Sequence, residues 1–127
     1  MSKYVLDASA ILALLNAEPG KDRVEAVLAE AIVGSVNYCE VLTKLSDAGM
    51  TNQESAESFA LLNIAVIDFD DRMARIAAGL RPKTKAFGLS LGDRSCLALG
   101  LARKATVITA DRLWAKLKLG AAIEVIR

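Results

Sequence analysis

The sequence predicts an α/β fold, a central parallel sheet of four to five strands with helices on both faces. Two patterns carry that expectation. Short apolar runs of strand length alternate with stretches whose apolar residues recur at i, i+3, i+4 and i+7. Strands regularly separated by helices pair in parallel through right-handed crossovers, which places a helical layer on each face. Composition agrees: 54% hydrophobic residues with only 8 Gly and 2 Pro excludes a disordered or collagen-like chain and favours helices about a core. At 127 residues the chain has the size of a single domain, residues 1–127, able to bury roughly two-thirds of the surface its unfolded form exposes.

Each element follows in order. "KYVLD" (3–7) is a short apolar run, followed by a helical pattern over Ala8–Asn16. After the turn at "EPG", Val24, Val27, Leu28 and Ala31 keep helical spacing within Lys21–Ala31. "AIVGS" (31–35) is a weaker strand candidate, and Tyr38, Val41, Leu42 and Leu45 form the next helical stripe before the break at "DAGM". A helix spans about Asn52–Leu62, and "NIAVIDF" (63–69) is the third strand. Met73, Ile76, Ala77 and Leu80 define a helix that Asp70 caps and "RPKTK" breaks. Leu91–Lys104 is helical, "ATVITAD" (105–111) a fourth strand, Arg112–Leu119 a short helix and "AIEVI" (122–126) a closing strand. There is no repeat, linker or low-complexity tract.

Charge and special residues narrow the chemistry. Sixteen basic against 15 acidic residues give a net charge of +1, so no overall field announces a nucleic-acid or membrane partner. No apolar stretch approaches the roughly 20 residues of a membrane span, and the chain opens into a strand without a signal segment, so a soluble protein is expected. Cys39 and Cys96 lack CxxC spacing and there is no histidine, which disfavours zinc and a Cys–His nucleophile. Both cysteines read as small core residues in a reduced, cytoplasmic setting.

In open parallel sheets, ligands collect beyond the carboxyl ends of the strands where strand order reverses. Four acids fall at such junctions: Asp7 ends the first strand, Asp111 follows the fourth, Glu40 stands in the first turn of the helix after the second, and Asp93 starts the helix feeding the fourth. Each has an ordinary explanation. Asp7 and Asp111 suit helix N-caps, while Glu40 after Asn37 and Asp93 after Ser90 have capping-box spacing. Glu40 could also pair with Lys44 at i, i+4. Asp93 resists that reading, because it shares a helical face with Cys96, Leu97 and Gly100 and so points inward, where an unpaired carboxylate is costly. A shared cation would compensate it. An oxygen-only donor set suits Mg²⁺ or Mn²⁺, and a hard divalent ion implies phosphate chemistry.

"VLDASAILALL", "SVNYCEVLTKL", "LSLGDRSCLALGLA" and "VITADRLWAKL" together resemble the four acidic motifs of PIN-domain ribonucleases, most closely the VapC-type toxins of toxin–antitoxin pairs. No one motif is specific; four in this order and spacing, over essentially the whole chain, are. The resemblance implies a PIN-like three-layer fold and metal-dependent endonuclease activity on RNA. By position it makes Asp7, Glu40, Asp93 and Asp111 the catalytic and Mg²⁺- or Mn²⁺-binding quartet, with Thr109 supporting the fourth acid and Ser9 at a small polar position after the first. The segment "RSC" after Asp93 replaces a more usual Ala-rich stretch.

Hydrolysis at such a site would use an ion-activated water and leave 5′-phosphate and 3′-hydroxyl ends. Arg94 and Arg112, each directly after a quartet acid, are candidates for contacting flanking phosphates, and Lys83 and Lys85 make a local basic loop. The resemblance further implies an RNA substrate such as tRNA, a cognate antitoxin and a homodimer. A PIN nuclease of RNA maturation without an antitoxin is the alternative. A receiver-like Mg²⁺-binding signalling module fits poorly, since such modules want an acidic pair at the end of the first strand, where Asp7 stands alone.

Overall fold

The computed structural model describes residues 2–127. Five strands, β1 (Tyr4–Leu6), β2 (Ala31–Gly34), β3 (Ala65–Ile67), β4 (Thr106–Thr109) and β5 (Ile123–Val125), form one sheet in the order β3-β2-β1-β4-β5. Every neighbouring pair is parallel, with Tyr4 opposite both Ala31 and Thr106. Seven helices connect them: α1 (Ala8–Leu15), α2 (Lys21–Val27), α3 (Ser35–Asp47), α4 (Asn52–Ala60), α5 (Asp71–Gly79), α6 (Arg81–Thr84) and α7 (Leu91–Arg103). The expected α/β class and both helical layers are present.

Strand alternation divides the core in two. On one face Leu6, Val33 and Ile108 pack with Ala10 and Ile11 of α1, Val24 of α2, Val41 of α3 and Phe59 of α4. On the other face Val5, Ile32 and Val107 pack with Met73 of α5, Cys96, Leu97 and Leu99 of α7, and Trp114. Successive residues of one strand thus feed opposite cores, as period-2 geometry requires. Gly100 lets α7 lie directly on the sheet, because a Cβ there would collide with Cγ2 of Val107.

Several local expectations give way. The helix from Lys21 stops at Val27 and tightens into a 3₁₀ turn over Leu28–Glu30. "RPKTK" does not simply break the chain: Pro82 sits in the first turn of α6, where its missing N–H costs nothing, and buried Thr84 donates to the Leu80 carbonyl. The last expected helix is only a 3₁₀ turn, Arg112–Lys116, pinned by fully buried Trp114. Cys96 is buried as expected, but Cys39 is exposed. The buried stripe of α3 is Asn37, Val41 and Leu45, and a residue two positions from Asn37 lies about 200° round the helix, on the opposite side. Among the described residues, no helix is long and apolar enough to cross a membrane.

Candidate functional site

The chain winds outward from β1 to β3 in one direction and from β4 to β5 in the other, so strand order reverses between β1 and β4. Asp7 follows β1 and Asp111 lies two residues beyond β4, putting both at the mouth of that reversal. Helix α3 brings Glu40 from its second turn, and α7 brings Asp93 from its first. All four line one cleft of about 240 Å³, with Ser9, Asn37 and Lys44 beside them.

Asp7 is the anchor. It is only 6% exposed and N-caps α1. Its Oδ1 accepts from the backbone N–H of Ala10 at 2.8 Å and the Ser9 hydroxyl at 2.7 Å, while Oδ2 accepts from the Thr109 hydroxyl at 2.6 Å. Burial pushes its pKa from the ordinary 3.8 up to about 6; the hydrogen bonds from Thr109, Ser9 and Ala10 pull it back, and the charge of Asp93 adds to the rise. Ser9 Oγ also accepts from the Ala110 N–H, tying the start of α1 to the end of β4, and Thr109 Oγ1 accepts from the Asp111 N–H two residues on. The Thr109 hydroxyl therefore supports two acids, donating to the carboxylate of the first and accepting from the backbone N–H of the fourth.

The other acids each use one oxygen on the protein. Asp93 forms a capping box with Ser90: its Oδ2 accepts from the Ser90 N–H at 2.9 Å, and Ser90 Oγ accepts from the Asp93 N–H at 3.2 Å. Asp111 Oδ1 accepts from the Leu113 N–H at 3.0 Å. Glu40 Oε1 accepts from Asn37 Nδ2 at 2.8 Å. The capping box expected of Asn37 and Glu40 is absent, because α3 starts at Ser35 with Gly34 as its N-cap and Asn37 is already inside the helix. The second oxygen of Asp93, Asp111 and Glu40 has no donor among the described residues, and none of the four acids joins a salt bridge there. Lys44 lines the cleft rather than pairing with Glu40. Cys96 lies buried nearby; burial, then the charges of Asp7, Asp93 and Glu40, push its thiol pKa well above the usual range. It is a packing residue in this state, not a nucleophile.

Both flanking arginines are engaged elsewhere. Arg94 Nη1 donates to the Ala77 carbonyl in the last turn of α5, where a cation complements the helix dipole. Arg112 Nε donates to the Arg127 carbonyl. Neither lines the cleft, nor do the exposed Lys83 and Lys85. For Arg94 the reason is positional: consecutive α-helical residues point about 100° apart, so Asp93 aimed into the cleft turns its successor away. Sequence reasoning missed Asn37 and Lys44 as residues that line the cleft. Asn37 left a signal, an amide standing four and eight residues before the buried Val41 and Leu45.

Among the described residues, no group of three or more His, Cys, Asp or Glu side chains is drawn together as a metal cage. The donor set nevertheless fits a hard divalent cation. It is all oxygen, it leaves free carboxylate oxygens around one open cleft, and it carries uncompensated negative charge. Mg²⁺ in particular keeps several waters and takes only one or two carboxylates, so it does not need a closed cage.

A family model described as PIN domain matches residues 4–119. No curated protein matches the sequence. Among solved structures, the fold is similar to that of DNA-bound VapBC from Salmonella typhimurium, with a TM-score of 0.80 and 17% identity over 100% of both chains. VapBC2 from Rickettsia felis, bound to a promoter DNA fragment, gives a TM-score of 0.76 and 15% identity over 96% of this chain and 97% of that one. VapBC-5 from Mycobacterium tuberculosis, described as a member of the VapBC family of toxin-antitoxin systems, gives a TM-score of 0.64 and 26% identity over 98% of each.

Proposed function

The chain belongs to the PIN-domain family, and from that premise we propose that it is a metal-dependent endoribonuclease, the toxin of a VapBC-type toxin–antitoxin pair. The observation that supports this most directly is the cleft at the β1/β4 reversal, where four separate segments each contribute one carboxylate and, among the described residues, no salt bridge neutralises any of them. Mutual repulsion among such groups is a standing cost that a bound cation removes.

In this reading Asp7, Glu40, Asp93 and Asp111 hold Mg²⁺ or Mn²⁺. The ion, when bound, supplies an activated water and shields charge at the scissile phosphate. The chain's own residues do the rest. Ser9 and Thr109 hold both oxygens of Asp7 and so set its rotamer. The capping bonds to Asp93 and Asp111 fix one oxygen of each and leave the other for the ion. Lys44, the cation at the cleft wall, is placed to meet a phosphate of the bound strand. With no histidine, no imidazole takes part in proton transfer.

RNA, with tRNA as one candidate, is the proposed substrate. A cognate antitoxin is the proposed partner, in keeping with the toxin–antitoxin relatives. Exposed Met50 and Leu61, and Val66 on the edge strand β3, leave apolar surface that supports a homodimer, read as a sedimenting species above 13.5 kDa at micromolar concentration. Incubation of the purified protein with total RNA tests the activity. Cleavage in Mg²⁺ or Mn²⁺ that EDTA abolishes, with 5′-phosphate ends, is the expected result; intact RNA in every metal condition would remove the reading.

A further inference from the structure

We propose that Asn37 and Gly92 form a clamp that positions Glu40 for the metal, joining α3 to the first turn of α7; this rests on the metal-dependent reading of the cleft. Asn37 is 1% exposed. Its Nδ2 donates to Glu40 Oε1 at 2.8 Å and also to the Gly92 carbonyl at 3.0 Å, one residue before Asp93. Both partners are acceptors only, so the amide's orientation is chemically determined, with the NH₂ toward them. One group thereby ties the carboxylate on α3 to the turn that carries the carboxylate on α7.

Gly92 supplies the other jaw. A Cβ built there would lie 2.7 Å from Cδ and Oε1 of Glu40 and closer still to Oε2. The Glu40 carboxylate therefore rests against a bare α-carbon, held on one side by an amide and on the other by the absence of a side chain. Gly92 lies within α7 with ordinary helical backbone, so no backbone conformation demands glycine there. Its backbone needs no special freedom, but its neighbour needs the space.

The amide is a poor choice for stability alone. Asn37 Oδ1 is buried with no hydrogen-bond partner among the described residues, directed at the α-carbon side of Gly34. A buried acceptor without a donor costs free energy that an apolar side chain of similar shape would avoid. Asn37 occupies a core position of α3, in line with Val41 and Leu45, where leucine would otherwise be expected. What the amide provides and leucine cannot is the pair of bonds that hold Glu40 and α7 together. Asn37 and Gly92 are thus positioning residues, acting on the ion through Glu40. The partners that orient metal-binding side chains typically change metal affinity by 10–100-fold when removed.

The test is Mn²⁺ binding to the full-length, RNA-free protein, followed by electron paramagnetic resonance of the unbound ion, alongside thermal melts in EDTA. Asn37→Leu is expected to weaken Mn²⁺ binding about tenfold while melting at or above the wild-type temperature. Gly92→Ala is expected to weaken it similarly without lowering the melt, since alanine is the better helix former. In a Glu40→Gln background neither change should weaken binding further, because the group they position has lost its charge. A purely structural role would lower the melting temperature and leave the affinity of the folded protein alone. Wild-type affinity in both folded single variants, or full additivity with Glu40→Gln, would overturn the clamp. If Asn37→Leu does not fold, Gly92→Ala decides alone. Failure of the wild type itself to bind Mn²⁺ would overturn the metal reading, and the clamp with it; the two failures are distinguished by the wild-type titration.

Discussion

Two capping boxes stand at the starts of α4 and α7, and they are nearly the same object. In the first, the Thr51 N–H donates to Glu54 Oε1 at 2.8 Å and the Glu54 N–H to Thr51 Oγ1 at 3.1 Å. In the second, the Ser90 N–H donates to Asp93 Oδ2 at 2.9 Å and the Asp93 N–H to Ser90 Oγ at 3.2 Å. Their surroundings differ completely. Glu54 borders a shallow depression with Met50, Glu57 and Leu61, and the backbone and side-chain bonds from Thr51 hold its carboxyl below the usual range. Asp93 faces Asp7, Glu40 and Asp111 across a cleft. A capping carboxylate uses one of its two oxygens; whether the other does chemistry depends on what the rest of the chain brings to it. Capping and metal binding are therefore not rival explanations of Asp93, and the same holds for Asp7 and Asp111, each of which caps a helix while lining the cleft.

The sharpest way to break this comparison is to remove one charge from each box while keeping both boxes closed. Asp93→Asn and Glu54→Gln each retain an acceptor for the cap, yet Asp93→Asn should reduce RNA cleavage by roughly a thousand-fold, the scale of losing a principal electrostatic stabiliser, and Glu54→Gln should leave it unchanged. Initial rates of RNA cleavage, counted as new 5′-phosphate ends, would show it; equal losses would mean the cleft is not the site.

Next in size is the pH dependence of the metal-free protein. The folded pKa of Asp7 is raised from 3.8 to about 6, so the folded state binds this proton more tightly than the unfolded chain does. The associated stability is fully present below pH 3.8 and is lost as pH rises through 6. Between those limits the contribution amounts to about 3 kcal/mol at 1.36 kcal/mol per pH unit. Urea unfolding in EDTA should show Asp7→Asn flattening that dependence, and Glu54→Gln leaving it in place. A wild-type profile unchanged by Asp7→Asn would show that Asp7 is not the buried charge described here.

Smaller effects test the caps themselves. Ser90→Ala and Thr51→Ala should each cost about 1 kcal/mol in urea unfolding, because the two boxes do the same structural work. A much larger loss at Ser90 would mean that the Asp93 turn carries strain that α4 does not. Smallest of all, Asp70→Asn should change stability by only a few tenths of a kcal/mol and leave cleavage intact, since Asp70 caps α5 through Met73 N–H and asparagine caps equally well.

Much of the fold was legible because it rests on local patterns. The strand at "KYVLD", the helix from Leu91 and the cap at Asp70 follow from apolar runs, period and spacing, and the structure contains all three. Candidate acids were legible too, through their places at strand–helix junctions. Less legible was whatever depends on where a neighbour sits. Arg94 directly follows Asp93, and adjacency in a helix turns its side chain to the Ala77 carbonyl. Cys39 was expected in the core as a small residue, but the buried stripe of α3 runs through Asn37.

By itself, then, the sequence determined the alternation of elements, the parallel sheet they imply and the identity of four acids at its carboxyl edge, because periodicity, turn chemistry and residue type act over a few residues. Only the tertiary structure decided that β1 and β4 lie side by side, that the four acids meet in one cleft, and that Asn37 and Gly92 press on Glu40 from α3 and α7. Those relations join residues far apart in the chain, 102 positions in the case of Thr109 and Asp7. No local rule reaches that far: the pairing is set by which packing of two apolar faces buries the most surface while leaving the strand ends, and the charges on them, open to water.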